Sequence, residues 1–310
     1  MLAIISITAP IFLLIGMGYS AVRWRLIPAD TIPGLGRFVL YFAMPGLILS
    51  TLSKMRIEEV IEPGFMLAYG LGSLLLMGLG LILFRLLRQD PVLASLKTMG
   101  MVMPNTPYFG FPVLLQVVDS VAGQALAMAM LVEAMLIIPL SMALLEFYSS
   151  RDDSQYLGKV LLTLPRRVLR NPMIIAILAG LLIALLELRL PQAIGTTLDM
   201  LGRASAAVAL FVIGASLVGR PLKGKVGGMV PVMAGKLVVH PLLVGLMIWL
   251  LPPFNPDLQL ALLLLAAMPM MSIYPIIGSQ YGQRYFAAGT LLLTTLSAFA
   301  SVSLLLLFVR

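Results

Sequence analysis

Long apolar runs separated by short polar connections set the pattern of this chain. Apolar stretches of about 20 residues are long enough to cross a hydrocarbon layer roughly 30 Å thick. The sequence offers about ten of them, at 2–21, 34–52, 64–86, 98–118, 124–146, 171–187, 196–217, 228–251, 258–280 and 285–309. The runs are continuous rather than alternating, which predicts helices and not the strands of a barrel. The expected fold class is therefore an all-α polytopic membrane protein of about ten transmembrane helices.

The longest polar interruption, 148–170, contains Arg151, Asp152, Asp153, Ser154 and Gln155. It divides the chain into 1–147 and 171–310, with about five spans in each half. An odd number of spans per half makes the second half enter the membrane from the opposite face, so two inverted five-helix repeats are expected. That symmetry follows from helix number and character, since no residue-by-residue repeat is visible.

The fourth stretch of each half departs from the rest. One reads Met103-Pro104-Asn105-Thr106-Pro107-Tyr108-Phe109-Gly110-Phe111-Pro112, the other Met268-Pro269-Met270-Met271-Ser272-Ile273-Tyr274-Pro275. Each proline removes a backbone donor and clashes with the preceding turn, so both stretches should break near mid-membrane. Unwound backbone at that depth is tolerated only where it is buried or lines a wet cavity. Taken singly, either run also fits a simple proline kink; two at matched positions point to one shared cavity. Half-helix N-termini there would aim positive partial charge at an anion, and freed carbonyls would suit a cation.

Composition supports the lipid environment. Hydrophobic residues make up 60% and charged residues 11%, with a mean hydropathy of +1.04, too few charges for the shell a soluble domain requires. No basic residue precedes the first apolar run, so it is expected to remain as a helix and not to act as a signal peptide. Cysteine is absent, which excludes disulfides, thiolate chemistry and cysteine-bound metals. The net charge of +8 is scattered over short connections and argues against nucleic acid as a partner.

Arg23, Arg25, Arg85, Arg88, Lys97, Arg151, Lys159, Arg166, Arg167, Arg170, Arg220, Lys223, Lys225 and Arg284 fall in the odd-numbered connections. The other side holds Lys54, Arg56, Arg189 and Arg310. The positive-inside rule makes the odd connections cytoplasmic and places both termini on the far side of the membrane.

Candidate chemistry lies at the breaks and at charges within spans. Asn105 offers an amide suited to a carboxylate, or to capping the half-helix. Thr106, Ser272 and Tyr274 offer hydroxyls, which in membrane helices also bond their own backbone carbonyls. Glu133, near the middle of the fifth span, is a candidate proton-carrying carboxylate; its alternative is a structural ion pair or a snorkelled side chain. Lys236 and His240, one turn apart, should share a helix face. Lys236 would attract an anion or neutralise Glu133, and His240 would supply a pH-sensitive step or simply a hydrogen bond. The four-residue spacing of Asp199 and Arg203 lets them pair with each other, in a structural or interfacial role. The 21 methionines fit packing better than a soft-metal path. No phosphate loop, metal-ligand cluster or hydrolytic carboxylate pair stands out, so no cofactor and no enzymatic or ATP-driven activity is expected.

Several stretches together resemble the auxin efflux carrier family, which includes plant PIN-type carriers and bacterial malonate and malate carriers. They are Ala9-Pro10 with Gly16 and Gly18, Tyr41 to Pro45, Pro104-Asn105-Thr106 with Gly110 and Pro112, Asn171-Pro172 with Gly180, Ala209 to Leu217, Lys236-Leu237 with His240-Pro241, and Ala267-Met268-Pro269 ahead of Tyr281-Gly282. The resemblance implies a ten-helix carrier with scaffold and transport subdomains, crossed broken helices four and nine, elevator-like alternating access and a homodimer. By the same resemblance Asn105 and Pro112 match the family's crossover asparagine and proline. Gly110 and Pro269 match as well, and Pro275 lies one position later than the proline of plant members.

The short central connection lacks the hydrophilic insertion of many plant members, which favours a bacterial-type carrier. The expected function is secondary transport of a small organic anion such as malonate, coupled to H+ or Na+. Efflux of an auxin-like weak acid is the alternative within transport. A non-transporting receptor or a membrane-embedded enzyme is the alternative outside it.

Overall fold

The computed structural model describes residues 2–56, 60–149, 170–219 and 226–309. Residues 150–169 of the expected 148–170 linker, and with them the basic residues Arg151, Lys159, Arg166 and Arg167, lie outside the described residues, as do Arg220, Lys223 and Lys225. Every described element is helical, apart from a single two-residue bridge.

In chain order the helices are α1 (Leu2–Arg23), α2 (Ala29–Leu52), α3 (Pro63–Leu86), α4 (Pro91–Val102), α5 (Phe111–Val117, entered through a wide turn at Thr106–Gly110) and α6 (Asp119–Ser149). The second half contributes α7 (Pro172–Leu185), α8 (Gln192–Leu217), α9 (Val226–Leu250), α10 (Pro256–Ala267), α11 (Tyr274–Gln280) and α12 (Arg284–Val309). Six of these, α2, α3, α6, α8, α9 and α12, are long and apolar enough to cross a membrane. The 12 residues of α10 rise only about 18 Å, so that helix stops short of crossing alone.

Local sequence explains the helix starts. Asp90, Asn171 and Asn255 each accept a hydrogen bond from a backbone N–H of the first turn, and proline follows each of them at the first helical position. The cap satisfies an orphan donor, and the proline sits where its missing N–H costs nothing.

Proline also explains the irregular turns. Wide π-type turns occupy Val39–Ala43, Thr106–Gly110, Glu133–Ile137 and Gly235–Val239. Each is followed at the same offset by a proline: Pro45, Pro112, Pro139 and Pro241. The ring displaces the carbonyl four residues back and supplies no N–H to it, so the turn opens by one residue.

Packing gathers the helices into two groups. In one, α1 lies along α8, and α2 packs between α7 and α8. In the other, α3 packs against α9 and α4, and α12 packs against α11 and α9. The α1–α8 crossing is tight enough to require glycine. A Cβ on Gly18 would lie 2.0 Å from the Phe211 carbonyl oxygen, and one on Gly214 would lie 1.8 Å from that of Ile15. Small residues at such a crossing let two backbones meet, the usual source of helix cohesion in lipid.

Candidate functional site

The break in each half falls at its prolines. Helix α4 ends at Val102, and Met103 continues in extended conformation into Pro104 and Asn105. Helix α10 ends at Ala267, and Met268 is likewise extended. The two unwound segments run antiparallel, with Pro104 opposite Met270. The Asn105 N–H donates to the Pro269 carbonyl at 2.7 Å, and the Met271 N–H donates to the Met103 carbonyl at 3.0 Å. Each break therefore supplies hydrogen bonds that the other needs away from water. Gly110 allows this approach, because a Cβ there would stand 2.7 Å from Leu265 Cδ2. Pro112 opens α5 and Pro275 opens α11.

Asn105 is 3% exposed and makes no capping bond to its own half-helix. Its Nδ2 donates to Ser272 Oγ at 2.8 Å, while Oδ1 has no hydrogen-bond partner. A serine hydroxyl donates as readily as it accepts. Turning the amide by 180° thus keeps the Ser272 bond and puts the NH2 group at the unpartnered position. Tyr274 points elsewhere: its hydroxyl donates to the Leu96 carbonyl of α4 at 3.1 Å.

Behind the crossing lies a buried polar cluster. Glu133, on the wide turn of α6, is 1% exposed, so it does not snorkel. Its Oε1 accepts from Tyr69 at 2.8 Å and from the Thr106 hydroxyl, and its Oε2 has no partner. Lys236, on the wide turn of α9, donates to the Ala266 carbonyl at 2.7 Å and lies 2.7 Å from His240 Nδ1. The two residues share a helix face, as their spacing predicted. An ammonium only donates, which assigns Nδ1 as acceptor and places the ring proton on Nε2, 3.0 Å from Ser73 Oγ. The Tyr69 and His240 rings stack at 6.0 Å.

No ion pair joins Lys236 to Glu133; among the described residues the only salt bridge is Lys54–Asp199. Each charge instead faces a half-helix end. Glu133 meets Thr106, where the α5 half-helix begins, and Lys236 meets the penultimate carbonyl of α10. A negative charge at an N-terminus and a positive charge at a C-terminus both complement the helix dipole. Sequence reasoning missed Tyr69 and Ser73, the α3 hydroxyls that tie Glu133 and His240 to one helix. Their four-residue spacing within an apolar span was the available signal.

The spacing lets Asp199 pair with Arg203, and Arg203 acts on it through charge, but the direct bonds of Asp199 go elsewhere. Asp199 Oδ1 accepts from Lys54 at 2.8 Å and from the Ser50 hydroxyl, both contributed by α2 and the residues just after it. A partner on a neighbouring helix displaces the one a turn away, because α2 and α8 pack side by side.

Lys54 and Asp199 border a cavity of 780 Å³, also lined by Ser50 and Thr51 of α2, Phe111 and Leu115 of α5, Asp119 and Gly123 of α6, and Arg203 of α8. It runs along the half-helix that starts beside Asn105. Among the described residues no group of three or more His, Asp or Glu side chains could hold a metal ion.

The chain is 29% identical to the "Putative malonate transporter" of Rhizobium meliloti (strain 1021), covering all of this chain and 97% of that protein. It is 26% identical to the lysosomal cholesterol signaling protein of Mus musculus over 76% of this chain, spanning 28% of that longer protein. The family model described as "Membrane transport protein" matches residues 3–307. The chain therefore belongs to this membrane transport family, the auxin efflux carriers, and is a multi-pass transporter rather than an enzyme.

Proposed function

We propose that the protein is a secondary transporter of a small dicarboxylate such as malonate, working by elevator-like alternating access. The observation that carries this reading is the antiparallel meeting of two proline-broken helices beside Asn105, whose amide keeps one unpartnered polar atom in a buried setting. The full-length likeness to a protein named for malonate transport supports the choice of anion.

In this reading the ten spans form two inverted five-helix repeats with the crossing at their shared midplane. The group of α1, α2, α7 and α8 is the scaffold, and the remainder carries the substrate past it. The face bearing Lys54 and Arg189 is periplasmic, so the 780 Å³ cavity is the outer approach. Asn105 and Thr106 receive the carboxylate. Gly110, Pro112, Pro269 and Pro275 hold the broken backbone in place, while Ser272 and Tyr274 orient it.

Glu133 couples the anion to a proton. While ionised, it compensates the positive end of the half-helix that starts at Thr106, the end an incoming carboxylate would use. Protonating Glu133 releases that end, so the anion and the proton bind together. Lys236 and His240 keep α10 capped throughout.

Reconstituted proteoliposomes test the proposal with labelled malonate, malate and an aromatic weak acid under imposed proton or sodium gradients. An inward proton gradient is expected to drive malonate uptake, with sodium without effect. A folded, reconstituted protein that moves none of the three would overturn it.

A further inference from the structure

The Lys54–Asp199 pair presents a puzzle at the mouth of an anion's path. Asp199 places a carboxylate on the wall of the cavity that borders the α5 half-helix, where it should repel an anionic substrate. Its surroundings are nevertheless those of a bound anion. One oxygen, Oδ1, takes both the Lys54 ammonium and the Ser50 hydroxyl. Arg203 lines the same cavity one turn along α8 and acts on Asp199 through charge, without a direct salt bridge among the described residues.

The pair is open to solvent, with side chains 60% and 40% exposed for Lys54 and Asp199. Exposed ion pairs contribute little net stability, so exchanging one carboxylate for another at Lys54 costs little. The α5 half-helix also borders the cavity, through Phe111 and Leu115. Phe111, six residues beyond Asn105, lies about 9 Å along it.

We propose that Lys54, Ser50 and Arg203 form a first capture site for the carboxylate of an incoming organic anion, in which Asp199 is a tethered stand-in that the substrate displaces. With Asp199 in place, the charged residues lining the cavity, Lys54, Arg203, Asp119 and Asp199, balance to zero. Monovalent anions therefore gain little there. A dicarboxylate that takes Asp199's place brings a second carboxylate within reach of Arg203, so the site favours two-headed anions over one-headed ones. Asp199 thus sets the affinity of the outer approach, separately from the crossing where Asn105 acts. The inference rests on the dicarboxylate-carrier reading above.

The test is initial-rate uptake of labelled malonate by intact cells expressing the full chain, alongside the detergent melting temperature of each purified variant. Removing one unit charge near a carboxylate in a wet site changes affinity by about fivefold. Asp199→Asn is therefore expected to lower the malonate KM about fivefold, while Lys54→Met and Arg203→Gln raise it by about as much. The double variant Lys54→Met/Asp199→Asn should keep a KM well above that of Asp199→Asn.

A purely structural ion pair gives a different pattern. Lys54→Met and Asp199→Asn would then each lower the melting temperature and the rate alike, and the double variant would restore them; that result overturns the capture site. An unchanged KM in Asp199→Asn, with wild-type uptake intact, overturns it too and leaves the carrier reading standing. If folded wild-type protein carries no dicarboxylate, the carrier reading falls and this site falls with it.

Discussion

Substituting Asn105 by alanine separates substrate recognition from folding. The change removes the hydrogen bond to Ser272, a net loss of about 0.5 to 1.5 kcal/mol. It also removes the unpartnered Oδ1, and a buried polar atom without a partner costs about 1 to 3 kcal/mol. The two terms oppose each other, and the backbone bond from the Asn105 N–H to Pro269 survives in alanine. Fold stability should therefore move little.

Binding loses a hydrogen bond to a charged carboxylate, about 1.5 to 3 kcal/mol, or about 10- to 150-fold in apparent affinity. The assay pairs concentration-dependent malonate counterflow in proteoliposomes with the detergent melting temperature. The expected result is a raised KM at a nearly constant melting temperature. Unchanged kinetics for every anion tested would refute the role given to Asn105. A collapsed melting temperature would show that the amide holds the crossing together instead.

Further substitutions probe the surroundings. Glu133→Gln keeps an acceptor for Tyr69 and Thr106 but cannot release a proton; counterflow should persist while dependence on a proton gradient disappears, and full retention of that dependence removes Glu133 as the carrier. Tyr69→Phe takes away one of the donors on a fully buried carboxylate and should cost about 1 to 3 kcal/mol, read as a lower melting temperature. Gly214→Ala drives a Cβ to 1.8 Å from the Ile15 backbone oxygen and should destabilise by about 3 kcal/mol or more, whereas Gly16→Ala, with nothing within 4 Å, should be neutral. Equal melting temperatures for the two glycine variants would contradict the tight α1–α8 crossing.

The features written legibly in the chain are those whose causes act over a few residues. Apolar run length identifies lipid as the solvent and helix as the backbone's answer to it, because amides in lipid must be satisfied within their own segment. Proline positions mark where that answer fails. Pro104 and Pro269 end α4 and α10, and Pro45, Pro112, Pro139 and Pro241 each open the turn just before them. The clash reaches four residues back, so local sequence suffices to place it. The spacing of Lys236 and His240 was informative for the same reason.

Packing decided the rest. That Pro104 lies opposite Met270, that Asn105 bonds Ser272 rather than capping its own half-helix, and that Lys236 caps α10 rather than pairing with Glu133 all depend on segments far apart in the chain. Asp199 shows the contrast most plainly: helical spacing offers it Arg203, yet it bonds Lys54 and Ser50 on another helix. Sequence periodicity ranks neighbours along one helix, whereas a buried or half-buried polar group answers to whichever donor the packed bundle brings closest.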